Sequence, residues 1–220
     1  MVIVYDPKKY QILNQRIKTA ESILEQIPAK HCFISGSFLY KDKYNDIDIF
    51  VISRTKKKAA LKEKNVKLQT IDFNDLHSLF YHSIAKSCIA KNILPAKELK
   101  VTIADYWQVV SEAIPSLLNN KNRFRKTIRN LILYTEYLIS DDVLDSFQLS
   151  KKIEEFKNFS EVMDYIQKNV PAAVLKHIKK SYAKRFFYTQ AGNYKSATEY
   201  DSQRVLYSIA HQITKGAANG

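Results

Sequence analysis

At 220 residues, with 45% hydrophobic and 12% aromatic side chains, the chain has a globular composition and room for one large domain or two small ones. A disordered chain is excluded, and a protein of this size buries about 70% of its unfolded surface, so folding needs neither disulfides nor a structural metal. The 35 Lys and Arg against 22 Asp and Glu leave a charge of +13, which suits polyanionic partners (RNA, DNA, nucleotides) or a lysine-rich solubilising surface.

No run approaches the roughly 18 apolar residues of a membrane span, and charged sequence begins within the first six residues. The expectation is a cytoplasmic protein with no membrane partner. Gly36 is the only glycine in the first 191 residues, which excludes a Walker loop and a GxGxxG turn. Cys32 and Cys88 are the only cysteines and lack CxxC spacing, so neither a disulfide scaffold nor a zinc site is expected.

In chain order, Asp6-Pro7 reads as the N-cap and first position of a helix. Leu13, Ile17, Ala20, Leu24 and Ile27 recur at helical spacing, and Pro28 follows its end. Residues 31–35 read as a short apolar strand running into Gly36-Ser37, and residues 46–53 as a second strand rich in β-branched and aromatic side chains. A basic connection over 54–65 leads to a third strand, 66–73. Val66, Leu68, Thr70 and Asp72 fall on one face of it, and Lys67, Gln69, Ile71 and Phe73 on the other. Helix signals resume at Asn74-Asp75 and extend to about residue 92. The stretch 91–101, with Pro95, is the expected domain boundary.

Beyond it the chain reads helical. Thr102 and Asp105 suit a capping box before Trp107. Phe124, Ile128, Leu131, Ile132 and Leu138 mark an amphipathic helix, with further helices expected near 150–168, 171–189 and 196–214. The expected organisation is an α/β domain over 1–95 and an α-helical domain over 96–220.

Residues 33–53 carry the chemistry. Asp46 and Asp48 lie two apart on a strand, so both carboxylates project from one face. Carboxylates held that close repel unless a cation sits between them, and magnesium commonly takes one or two carboxylates plus substrate phosphates. Gly36 permits a sharp turn and a close phosphate approach, and Ser37 adds a hydroxyl and a backbone N–H at an expected helix start. Asp72, near the end of the next strand, is the candidate third carboxylate, with Asp75 as its competitor.

The pattern Ile34-Ser35-Gly36-Ser37, eight residues, then Asp46-Ile47-Asp48-Ile49 resembles the DNA polymerase β-like nucleotidyltransferase superfamily. The resemblance covers about 40 of the 220 residues, and its spacer is a couple of residues shorter than usual for the family. It implies an α+β nucleotidyltransferase fold, a mixed sheet with flanking helices, followed by an all-α helical bundle. It also implies two-metal transfer of a nucleoside monophosphate from an NTP such as ATP to a hydroxyl, releasing pyrophosphate. By matching position, Asp46, Asp48 and Asp72 would be the catalytic metal ligands for Mg²⁺ or Mn²⁺, and Gly36 and Ser37 the nucleotide contacts.

Small two-domain members of that superfamily include antibiotic adenylyltransferases, RNA-tailing enzymes, and toxin–antitoxin or abortive-infection enzymes that modify tRNA or a partner protein. The positive charge disfavours a cationic antibiotic and favours RNA, with a partner protein as the other acceptor. Candidate nucleic-acid contacts are Lys57 and Lys58 in the basic connection, Arg125 and Arg129 on the first long helix of the second domain, and Lys180 and Lys184 further on. The aromatic residues beside the last pair read as base platforms or as helix core. Two alternatives stand beside this reading. One is an inert nucleotidyltransferase fold acting as a basic nucleic-acid-binding module. The other is HEPN-like ribonuclease activity from Arg204 and His211, seven apart on one helix face.

Overall fold

The computed structural model describes residues 1–54, 65–102, 105–106, 108–113, 124–170 and 172–173. Its centre is β3 (Ile47–Ser53), whose near-continuous apolar run suits a strand covered on both faces. β2 (Cys32–Ser35) pairs antiparallel with β3, and β4 (Val66–Asp72) pairs parallel with it. β5 (Cys88–Ala90) lies antiparallel to β2, and β1 (Ile3–Tyr5) antiparallel to β5. The result is a mixed five-stranded sheet of order β1-β5-β2-β3-β4. The sheet and its helices make an α+β architecture.

Alternation along the strands supplies two apolar faces. Ile34, Ile47, Ile49 and Val51 pack with Leu13, Ala20 and Leu24 of α1 (Gln11–Glu25). Phe33, Phe50, Ile52 and Ile71 pack with Tyr81 and Ile84 of α2 (Leu79–Lys86). Phe33 and Phe50 face each other across β2 and β3 and stack at 5.2 Å, a cross-strand pair that secures the register. Cys32 and Cys88 are buried free thiols; burial pushes Cys32 up to about 11 and also raises Cys88.

Three local expectations need correction. The first helix begins at Gln11, not Pro7, because the chain turns at Asp6–Lys9 (Lys9 N–H to the Asp6 carbonyl, 3.4 Å) and Lys9 takes φ 54°. The helix expected from Asn74 to residue 92 is a 3-10 turn (Phe73–His77), then α2, then β5. Cys88-Ile89-Ala90 is wholly buried, and so short an apolar run has no periodicity to separate strand from helix. The helix expected near 150–168 is two, α4 (Ser146–Glu154) and residues 159–170.

The chain divides into two compact units. One comprises Met1–Lys100 with Val143–Ser150, the other Val101–Asp142 with Lys151–Gly220. In the second unit, Thr102 and Asp105 form a reciprocal capping box: the Thr102 N–H donates to Asp105 Oδ2 at 2.7 Å, and the Asp105 N–H to Thr102 Oγ1 at 3.2 Å. α3 (Phe124–Ser140) buries Ile128, Leu131, Ile132 and Leu138. Tyr106, fully buried, shares a hydrogen bond with Thr135 Oγ1 at 3.3 Å. Residues 171–189 and 196–214, where further helices are expected, lie almost wholly outside the described residues. Among the described residues no helix is long and apolar enough to cross a membrane.

Val143–Ser150 joins the first unit through an Asp145-centred junction. Asp145 and Ser146 are buried. The Asp145 carboxylate accepts the N–H groups of Phe147 (2.9 Å) and Gln148 (2.8 Å), and Gln148 Oε1 accepts the Asp145 N–H at 3.2 Å. That reciprocal pair is a capping box that starts α4. Tyr10 O–H donates to Asp145 Oδ2 at 2.9 Å, and the rings of Tyr10 and Tyr40 meet Phe147 edge-on at 4.5 and 5.3 Å.

Candidate functional site

β2 delivers the chain to Gly36, which takes φ +90° and ψ −159°, a conformation L side chains rarely adopt. A Cβ there would lie 3.1 Å from Asp48 Oδ2. The cause is the antiparallel register: Ser35 is opposite Asp48, so Gly36 closes over that carboxylate. Behind the turn, the buried Ser35 hydroxyl donates to the Ser87 carbonyl (3.2 Å) and meets Ser146 Oγ at 3.2 Å. The turn is thus anchored on its inner side.

Ser37 follows as the first residue of a 3-10 turn, Ser37–Leu39. Three residues are too short to accumulate a helix macrodipole, so any phosphate contact here rests on the hydroxyl and the local backbone. The spacer to Asp46 is a folded loop. Arg16 of α1 stacks over Phe38 (5.3 Å) and Tyr44 (5.0 Å) and donates to the Asp42 carbonyl at 3.4 Å. Phe38 and Tyr44 meet edge-on at 5.0 Å. Cation–π contacts of this kind hold the short spacer between the two halves of the motif.

Asp46 immediately precedes β3 and Asp48 lies within it; both are half-buried. Their strand positions share a face with Phe50 and Ile52, since Ile47, Ile49 and Val51 pack on the other side. The structure therefore brings Asp46, Asp48 and Gly36 together, with Ser37 next in the chain.

It does not bring Asp72 to them. In the parallel β3–β4 ladder Asp48 is opposite Lys67, whereas Asp72 is opposite Ser53, five residues further on. That is roughly 16 Å along the sheet at about 3.3 Å per residue. Asp72 also alternates with Ile71, which packs on the Phe50 side, so it stands on the opposite sheet face from Asp48. Its carboxylate caps the 3-10 turn after β4, accepting the Asn74 N–H at 2.8 Å. Asp75, the competing acid, lies within that turn. Asp72→Ala is expected to cost about 1 kcal/mol through the lost cap. It is expected to leave the Mn²⁺ titration curve of the protein where the wild type has it, since Asp72 is remote from Asp46 and Asp48. Urea midpoints and a Mn²⁺ titration of the purified variant check both halves.

In the third carboxylate's place, β4 offers two donors that the sequence reading did not assign to the site. The Lys67 ammonium bonds Asp46 Oδ2, and Gln69 Nε2 approaches Asp48 Oδ1 at 3.5 Å. The Lys67 side chain is 64% exposed and that of Asp46 21%. The hydrogen bond to Asp46 and that carboxylate's charge hold the ammonium above its ordinary value, with a smaller contribution from Asp48. The signal for Lys67 was its place on the strand face shared with Gln69 and Ile71; its meaning depends on the β3–β4 register.

Two carboxylates on one face, one braced against a glycine, form an oxygen donor set that suits a hard divalent cation. Among the described residues no group of three His, Cys, Asp or Glu side chains gathers to hold a metal. Arg125 is exposed and Arg129 half-buried on α3 in the second unit. Lys57, Lys58, Lys180, Lys184, Arg204 and His211 lie outside the described residues. No family model matches the chain, and neither does any curated protein or solved structure.

Proposed function

We propose that this chain is a divalent-cation-dependent nucleotidyltransferase that moves a nucleoside monophosphate from an NTP to a hydroxyl on RNA. The observation that carries the reading is the Gly36 turn, at φ +90°, pressed against the carboxylate of Asp48 with Asp46 on the same strand face. The succession of strand, turn, 3-10 segment and two further strands within a mixed sheet supports the reading. Asp46 and Asp48 would hold Mg²⁺ or Mn²⁺. When bound, that cation supplies Lewis-acid stabilisation of charge on the transferring phosphate. Gly36 leaves room for a phosphate to approach the backbone, and the Ser37 hydroxyl can donate to it. Ser35 and Arg16 hold the turn and the spacer so that these groups need not reorganise on binding. The charge of +13 favours RNA over a cationic acceptor.

A second reading is nucleotide binding without transfer. It is favoured by the Lys67–Asp46 contact and by Asp72 lying on the other sheet face.

One experiment separates the two. Purified protein is offered each α-labelled NTP with Mg²⁺ or Mn²⁺, cell RNA and cell protein, beside an Asp46→Ala/Asp48→Ala variant. The expected result is label on RNA from the wild type and none above background in the variant, which lacks both proposed cation ligands. Variant-sensitive label on protein would replace the acceptor. Variant-sensitive NTP binding with no labelled product would establish the second reading. Labelling or binding unchanged in the variant would remove both.

A further inference from the structure

We propose that the site operates with a single divalent cation, and that Lys67 supplies the positive charge a second cation would otherwise bring. The inference rests on the reading of Asp46 and Asp48 as cation ligands.

Register places Lys67 there. The parallel pairing sets its Cα opposite that of Asp48, and its side chain rises on the face that Asp46, Asp48 and Phe50 share. From there the ammonium reaches past its opposite number to the Asp46 carboxylate. Gln69, two residues on and on the same face, turns its amide N–H towards Asp48. A neighbouring strand that served two cations would present an acceptor at this position, because a second ion needs oxygen ligands of its own. β4 presents a cation opposite Asp48, and Gln69 turns its amide N–H rather than its carbonyl to that carboxylate. A second ion seated against Asp46 would meet the lysine charge at contact distance. The first ion needs only one face of the pair, and while Asp48 Oδ1 turns to Gln69 of β4, Asp48 Oδ2 lies beside Gly36 on the β2 side. Lys67 is long and mostly exposed, so it can yield Asp46 to the incoming ion while its charge stays at the site.

The chemistry implies a selective effect. Removing the ammonium removes a competitor for Asp46, so cation affinity rises. Exchanging it for a carboxylate creates the missing acceptor, so capacity rises.

The test counts bound Mn²⁺ by electron paramagnetic resonance of the full chain, with and without α,β-methylene-ATP, correcting for Mn²⁺ on the free analogue. The wild type is expected to bind one equivalent with the analogue present. Lys67→Ala is expected to bind Mn²⁺ about tenfold more tightly without nucleotide, as loss of one contact charge implies. Lys67→Asp is expected to bind two equivalents with the analogue. Two equivalents on the wild type, or an unchanged Mn²⁺ affinity in Lys67→Ala, would overturn this inference and leave the proposed function standing. Mn²⁺ binding that Asp46→Ala/Asp48→Ala does not alter would overturn both. Lys67 is exposed, so its variants are expected to fold, and thermal unfolding of each verifies that.

Discussion

If the proposed nucleotidyl transfer is the activity, Gly36→Ala is expected to lower it about 10²-fold, and to lower stability by about 1–3 kcal/mol, from one added methyl group. The two losses share a cause. At φ +90° a β-carbon strains the backbone wherever it points, and here it also arrives 3.1 Å from Asp48 Oδ2. The carboxylate must give way by a few tenths of an ångström. Larger side chains add steric overlap, so Gly36→Val is expected to be worse on both counts. The measurements are urea unfolding midpoints and label transfer on the same preparations. Asp48→Asn is the control: it should abolish transfer with little loss of stability, since the backbone is untouched. An alanine variant as stable and active as the wild type would show that the turn has another conformation.

Asp145→Ala will lower stability by about 2–3 kcal/mol. Asp145 is fully buried and its carboxylate accepts three hydrogen bonds: from the N–H groups of Phe147 and Gln148 at the start of α4, and from the Tyr10 hydroxyl. Alanine removes the cap, worth about 1–2 kcal/mol, and leaves the part-buried phenol without its acceptor, worth about 1 kcal/mol more. Tyr10→Phe should therefore cost about 1 kcal/mol, and the two losses should not add, because each removes the same bond. Denaturant midpoints of the two single variants and the double variant measure that coupling; strict additivity would remove Tyr10 from the junction. The effect reaches the candidate site as well. Ser146, next to Asp145, meets the Ser35 hydroxyl behind the Gly36 turn, so loosening the start of α4 removes a brace from the turn.

How much of this could be read in advance differs from element to element. β2, β3 and β4 lie within a residue or two of where apolar alternation places them, and α3 carries the expected buried positions. β1 and β5 gave no local warning. Each is three residues long, and each exists because a strand remote in sequence lies alongside it. The Asp145…Gln148 capping box was a readable signal, an acid three residues before a glutamine, but nothing nearby says that the segment starting there belongs with the first hundred residues.

The candidate site divides in the same way. That Asp46 and Asp48 share a face follows from the two-residue period of a strand, and that Gly36 marks a sharp turn follows from its position at the end of an apolar run. Both are properties of a few consecutive residues. The partner across from the pair is another matter. Strand context makes Asp72, the single acid on the third strand, the candidate, yet the parallel register sets Lys67 opposite Asp48 and carries Asp72 to the far end and the other face of the sheet. Register is decided by which apolar faces of β3 and β4 can be buried together, a non-local condition no window of sequence contains. Composition and local spacing were therefore enough for an α+β chain with two acids beside a glycine. Which charge faces those acids was settled only when the strands paired.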